Sequence, residues 1–138
     1  VNNLPEEKVK DLEAYLREAN SSPFANFMGF RIIKMQEGLV IGEMVTSDRM
    51  VNQFGGVHGG AIMAFADYLF GVVANMFDRL SVAVDFTISF FSPAKLGDKL
   101  LGEGRVLRRG KRLVNVELTV TSEDGKTIAK ALATAMFV

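Results

Sequence analysis

The chain has 138 residues, the size of one ordinary domain, since dividing it would leave two cores too small to stand alone. Apolar residues make up 49% and charged residues 23%, which excludes disorder as the main state. Lys plus Arg number 16 and Asp plus Glu also 16, and this balance excludes a general nucleic-acid or anionic-membrane binder, which needs a net basic surface. The absence of cysteine removes disulfides, thiolate metal sites and a cysteine nucleophile. With His58 as the one histidine, no metal site is expected, because zinc would need several carboxylates to converge on it.

Residues 1–20 carry Glu6, Glu7, Lys8, Lys10, Asp11, Glu13, Arg17 and Glu18 with no apolar run, unlike a signal peptide, so a cytoplasmic location is expected. Pro5 with Glu6 and Glu7 predicts a helix start. Val9, Leu12 and Leu16 give that helix one apolar stripe, and Ser21-Ser22-Pro23 ends it. It reads as an accessory helix, residues 1–20, of a single domain spanning 1–138. Phe24, Phe27 and Met28 before Gly29 predict a short apolar turn docked on that domain. Phe30–Gln36 and Leu39–Thr46 read as strands joined by a tight turn at Glu37-Gly38, and residues 47–57 as a loop.

Gly59 to Met76 is apolar nearly all round, which predicts a helix enclosed on most sides and about 27 Å long. It approaches membrane-span length but contains Asp67 and Asn75 and runs into Asp78-Arg79, so it reads as a buried helix of a soluble protein. Ser81–Phe91 alternates, with Val82, Val84, Phe86, Ile88 and Phe90 on one face and Ser81, Ala83, Asp85, Thr87 and Ser89 on the other. After a loop at 92–98, Leu100–Arg109 and Leu113–Thr121 are strands, the latter with Val114, Val116, Leu118 and Val120 on one side. Glu123-Asp124-Gly125-Lys126 marks a hairpin turn. Thr127–Val138 is the last strand; Ala129, Ala131, Ala133 and Ala135 make one face small enough for the long helix to approach. The class is α+β: one long antiparallel sheet curled around one apolar helix.

Two features point to chemistry. Asp67 is the only side chain charged at neutral pH between His58 and Asp78, on a helix predicted to be enclosed, so it needs a partner or a raised pKa. Gly55, Gly56, Gly59 and Gly60 fall within six residues at that helix's start and leave backbone N–H groups at its positive end, which suits an anion or a developing oxyanion. The run lacks the Gly-Lys-Ser/Thr ending of a phosphate loop. His58 fits either a structural donor or a catalytic base. No Gly-x-Ser-x-Gly elbow accompanies it, which argues against a serine hydrolase.

Asn52, Gly55, His58-Gly59-Gly60 and Asp67, followed by Ser92-Pro93-Ala94-Lys95-Leu96-Gly97-Asp98, together resemble the hotdog-fold acyl-CoA thioesterases, particularly the phenylacetyl-CoA thioesterase and thioesterase-superfamily-member type. The resemblance runs from about Phe24 to the C-terminus and includes the element order. It implies a thioester hydrolase in which the Gly59 N–H, helped by the Asn52 side chain, binds the thioester oxygen. Asp67 then activates water or attacks the carbonyl carbon, and His58 shapes the Asn52–Gly59 region. It implies no cofactor, since coenzyme A is part of the substrate. Arg105, Arg108, Arg109, Lys111 and Arg112 read either as a solvated strand end or, with the family in view, as a site for the phosphates of coenzyme A, with Lys95 and Leu96 along the pantetheine path.

Independently of the family, Gly59 and Asp67 are eight residues apart, about 12 Å along one helix, whereas a base and an oxyanion donor must each lie within about 3 Å of the same reacting group. One copy cannot supply both, so a homodimer with two shared sites is expected. A dimer of dimers, hence a homotetramer, is the expected assembly. Related enzymes often carry a serine or threonine where this chain has Ala83, so Ser81, Asp85 or Thr87 would have to orient water instead. Ala83 keeps a second reading open, a non-catalytic acyl-CoA-binding or regulatory protein on the same scaffold; an enoyl-CoA hydratase is a weaker third, since it wants a histidine base beside the acid and His58 at the helix start serves that poorly. Phe24, Phe27, Phe54, Met63 and Phe70 fit an acyl pocket and the core equally well.

Overall fold

A computed structural model describes residues 8–138. In chain order the elements are α1 (Leu12–Ala19), α2 (Pro23–Met28), β1 (Phe30–Gln36), β2 (Leu39–Val45), one 3-10 turn (Asp48–Met50), α3 (Gly59–Ala74), β3 (Ser81–Phe90), β4 (Lys99–Arg109), β5 (Leu113–Ser122) and β6 (Thr127–Phe137). The strands form one antiparallel sheet in the order β1-β2-β4-β5-β6-β3. The chain leaves β2, crosses the sheet as α3 and lays down β3 at the far edge; β4 then returns beside β2. The expected α+β architecture, a long antiparallel sheet with one apolar helix across it, is what the structure shows. Among the described residues no helix is long and apolar enough to cross a membrane.

Glycines set how closely α3 can lie on the sheet. A Cβ on Gly102 would sit 2.3 Å from Leu69 Cδ1 and 2.7 Å from Phe65 Cε2, and one on Gly42 would sit 2.7 Å from Leu69 Cδ2. Those positions on β2 and β4 are the tightest approach, not the alanine face of β6, although Ala129, Ala131, Ala133 and Ala135 are buried as expected. Val114, Val116, Leu118 and Val120 of β5 are all fully buried beneath the same helix.

Three expectations need correction. The first helix starts at Leu12, not near Pro5: Asp11 caps it by accepting the N–H groups of Glu13 (3.1 Å) and Ala14 (3.2 Å), and an acceptor at that point favours a start there. Val9 instead pairs with Phe77 in an isolated bridge, and Pro5, Glu6 and Glu7 lie outside the described residues. Ser22-Pro23 begins a second helix as well as ending the first, because Ser22 Oγ caps α2. On α2 only Ala25 is buried, while Phe24 and Phe27 are 55% and 62% exposed.

The third correction concerns β3. A bulge between Ala83 and Asp85 breaks the simple alternation. Ser81 and Ala83 pair with Phe137 and Ala135, while Phe86, Ile88 and Phe90 pair with Ala133, Ala131 and Ala129. Ser81 and Ala83 therefore share the inner face with Phe86, Ile88 and Phe90, and Val82 joins Asp85, Thr87 and Ser89 outside.

Candidate active site

Around the start of α3 every backbone donor but one is hydrogen-bonded among the described residues. Asn52 organises the loop: its Oδ1 accepts the N–H groups of Phe54 (2.9 Å) and Gly56 (3.2 Å), and its carbonyl accepts that of Gly55 (3.1 Å). Gly55 turns the chain at φ +86°, where a side chain would be strained. Val57 N–H then donates to the Ala94 carbonyl (3.0 Å) and His58 N–H to the Met50 carbonyl (2.6 Å). Gly60 N–H donates to His58 Nδ1 (2.9 Å), and Ala61 and Ile62 donate to the His58 carbonyl. From Phe54 to Ile62, Gly59 alone has an N–H with no partner among the described residues. A free donor at the first turn of a helix carries the positive end of the dipole. The two N–H groups converging on one Asn52 atom identify that atom as oxygen, which fixes Nδ2 as a further donor, with no partner among the described residues.

Gly59 borders a cavity of about 340 Å³ lined by Val57, Ile62, Phe90, Phe91, Ser92, Pro93 and Ala94. A Cβ on Gly59 would come within 3.4 Å of the Phe90 ring, so glycine keeps this mouth open. Sequence reading placed Phe90 only on a core face; nothing in its periodicity marks the end of β3 as a wall of the site. Past Pro93 a polar groove of about 380 Å³ continues, lined by Lys95, Asp98, Lys99, Glu123, Asp124 and Lys126. Lys95 therefore sits next to the Gly59 mouth, and Leu96 lies beside it, 49% exposed. Lys99 is paired with Glu43 at 2.9 Å.

Asp67 lies elsewhere. α3 is unbroken from Gly59 to Ala74, so the eight-residue separation keeps the carboxylate about 12 Å along the axis from the Gly59 donor, and the chain does not bring the two together. Asp67 was expected to be enclosed, but it lies on an exposed stripe of α3 with Gly60, Met63 and Gly71, because the sheet covers only the opposite side of the helix. Partial desolvation by that apolar helix still holds its carboxyl above the ordinary value.

The candidate stand-ins for a water-orienting hydroxyl at Ala83 are placed differently from one another. Ser81 is tied to Asn75, whose Oδ1 accepts its N–H at 2.7 Å and its hydroxyl at 3.3 Å, and the bulge turns Asp85 and Thr87 to the outer face. The basic hairpin is also displaced. Lys99, at the Gly59 end of the sheet, and Arg109 are ten residues apart on one strand, roughly 33 Å. The Arg109 guanidinium stacks 3.9 Å from the Phe77 centroid and 4.8 Å from that of Phe137, so its faces are taken up in packing. Arg108, Lys111 and Arg112 are exposed there. Among the described residues no group of three or more His, Asp or Glu side chains is placed to hold a metal.

A profile of the thioesterase superfamily matches residues 54–129, from the loop before α3 into β6. The chain belongs to the thioesterase superfamily. Its relatives include the acyl-coenzyme A thioesterase PaaI of Escherichia coli, 30% identical over 76% of this chain and 75% of that one. Human acyl-coenzyme A thioesterase 13 is 31% identical over 72% of this chain and 73% of its own. The solved structure of E. coli PaaI superposes with a TM-score of 0.85, covering 88% of each chain at 26% identity. A Streptococcus mutans protein solved bound to acetyl CoA covers 99% of this chain and 97% of its own at 27% identity, with a TM-score of 0.77. The hotdog-fold resemblance expected from Asn52, His58-Gly59-Gly60, Asp67 and the 92–98 loop is thereby borne out.

Proposed function

We propose that this thioesterase-superfamily protein hydrolyses an acyl-CoA thioester to the free acid and coenzyme A. The observation that carries the reading is the unclaimed Gly59 N–H at the mouth of an apolar cavity, with the Asn52 Nδ2 donor on the same loop. A thioester oxygen accepting from both would have donors aimed where negative charge develops as the carbonyl carbon is attacked. The names of PaaI and of acyl-coenzyme A thioesterase 13, and the acetyl CoA bound to the S. mutans relative, support coenzyme A as the carrier.

Asp67 supplies the carboxylate, from a second copy of the chain. Attack on the carbonyl carbon gives a tetrahedral oxyanion, and its collapse breaks the C–S bond and expels the thiolate, which takes up a proton. Water then opens the resulting anhydride and regenerates Asp67. Ala83 lacks a hydroxyl to orient water, which favours this direct attack over general-base activation. A two-fold dimer is supported by the exposed Gly60–Met63–Asp67–Gly71 stripe and by β3, an edge strand that leaves Val82 and Val84 exposed. Antiparallel pairing of two β3 edges would set the Ser81 end of one copy, which carries the basic hairpin, beside the Phe90 and Gly59 end of the other. Arg108, Lys111 and Arg112 would then reach the coenzyme A phosphates from the second copy, with Lys95 and Leu96 along the pantetheine path. Pairing of such dimers into a tetramer, and a cytoplasmic site of action suited to a charged substrate, belong to the same proposal.

Ala83 also favours a second reading, an acyl-CoA-binding protein without turnover. Trapping free thiol across a panel of aromatic and aliphatic acyl-CoAs separates the two. The wild-type protein is expected to release coenzyme A and Asp67→Ala to release none while keeping its oligomeric state. Binding without release by the wild type would establish the second reading, and undiminished turnover in Asp67→Ala would remove the mechanism.

A further inference from the structure

Gly60, Met63, Asp67 and Gly71 form the exposed stripe of the unbroken helix α3, and Met63, 40% exposed, is its one large apolar side chain. In the proposed two-fold dimer, Asp67 of each copy faces Gly59 of the other, so the two copies of α3 run antiparallel. The axis then passes midway between the two reaction centres. Midway between positions 59 and 67 is position 63, about 6 Å along the helix from each. Met63 shares its stripe with Asp67, four residues on, so it faces the axis and a second copy of itself. By symmetry the two helices are closest there.

The two halves of a thioester lie on opposite sides of its carbonyl. The 92–98 loop is held against the residues that precede α3, through the Gly56–Lys95 bridge and the Val57 N–H to the Ala94 carbonyl (3.0 Å). Coenzyme A leaving past Lys95 therefore directs the acyl group the other way, down the exposed stripe towards Met63. Two acyl groups in one dimer approach the axis from opposite ends and meet the same pair of methionines.

We infer that Met63 sits on the dimer two-fold, packs against its copy in the second chain, and is the specificity-determining residue that limits acyl length. An unbranched thioether suits that place, because it adapts its shape to the copy it meets. The wall stands about 6 Å past Gly59, so the pocket takes a compact acyl group and rejects a long chain. This deepens the thioesterase reading and rests on it for acyl length; the position of the axis rests only on the pairing of Gly59 with Asp67.

The chain has no cysteine, so one introduced thiol reports one position. Facing Cα atoms on helices about 10 Å apart, each on a cylinder of radius about 2.3 Å, stand about 5–6 Å apart, within the span of a disulfide. Mild oxidation of Met63→Cys is expected to convert most of the protein to a covalent dimer on a non-reducing gel. Gly71→Cys is the control: a Cβ there meets nothing within 4 Å, and its copy stands about 24 Å away along the helix direction, so it is expected to stay unlinked. No cross-link in Met63→Cys, or an equal one in Gly71→Cys, would overturn the axis. For acyl length, Met63→Ala and Met63→Phe are compared by thiol trapping on straight-chain acyl-CoAs from acetyl to lauroyl. Met63→Ala is expected to raise kcat/KM about tenfold for chains beyond the wild-type optimum. Met63→Phe is expected to lower it about tenfold for the longest chain the wild type accepts, with acetyl-CoA little changed in both. An unchanged length profile, or a loss equal at every length, would overturn the specificity role, since a loosened dimer seam slows all substrates alike. A protein that cross-links through Met63→Cys but releases no coenzyme A in its wild-type form would fail the thioesterase reading and leave the axis standing; acyl length is then read as Kd over the same series by calorimetry, with shifts in the same directions expected.

Discussion

Asn52 holds two jobs in one side chain: its oxygen organises the loop and its nitrogen remains a donor. The two can be separated. Asn52→Asp keeps an acceptor for Phe54 and Gly56 but sets a negative charge where the thioester oxygen would bind, so turnover is expected to fall by about 10²–10³ or more while thermal melts stay close to wild type. Asn52→Ala is expected to lose turnover and also about 1–2 kcal/mol of stability, because two loop N–H groups lose their acceptor. Asp67 gives a pH prediction. Desolvation raises its carboxyl, so the reactive carboxylate forms at higher pH than an ordinary aspartate's would, and the acid limb of kcat/KM is expected to be displaced upward in the same direction. For stability the sign is opposite: a folded pKa above the unfolded one gives stability that is present in acid and lost as pH rises through the folded value. Asp67→Asn is therefore expected to be at least as stable as wild type at neutral pH, with the difference vanishing in acid; melts at the two pH values check this.

Among the elements, α3 and its glycine bed decide where the site sits. Gly102→Ala would drive a methyl into Leu69 and Phe65, and overpacking of this kind costs about 2 kcal/mol, read as a lower denaturant midpoint. The shift of α3 needed to relieve it would also move Gly59 relative to Phe90, so kcat is expected to fall in the same variant. The β3 bulge shows why faces read by strict alternation went astray. Period-two counting holds from Asp85 to Phe90, but one extra residue at Val84 exchanges the faces before it. Val84 is one β-branched residue among several, and nothing in its chemistry marks it as the unpaired one. The strand limits, the Glu37-Gly38 turn, with Gly38 at φ +74°, and the 123–126 hairpin were legible because turn residues and alternation agree there.

At the scale of the whole molecule, the shared-site proposal makes a quantitative claim. Asp67→Asn and Asn52→Asp chains are each expected to be close to inactive as homodimers, and the two are co-expressed. If the carboxylate of one copy serves the donors of the other, a mixed dimer contains one intact and one doubly defective site. Random pairing makes half the dimers mixed, so activity is expected to return to about a quarter of wild type. If each chain built its own site, no mixed dimer would hold an intact one and activity would stay at background. The assay is the same thiol trap on the whole, unfractionated population of co-expressed chains.

The sequence by itself determined the class of fold, the order of its main elements, the family and the cluster of residues at the start of α3. These depend on local propensity, hydrophobic period and a contiguous motif, all of which survive without coordinates. The tertiary structure alone decided which donor is free, which face Asp67 occupies and where Arg109 is spent. Each of these depends on which distant backbone or ring arrives as a neighbour: Ala94 and Met50 satisfy the amides on one side of Gly59, the sheet covers one side of α3 and leaves Asp67 on the other, and Phe77 and Phe137 close over the guanidinium. Such contacts are fixed by packing of segments far apart in the chain, and no spacing within a single segment encodes them.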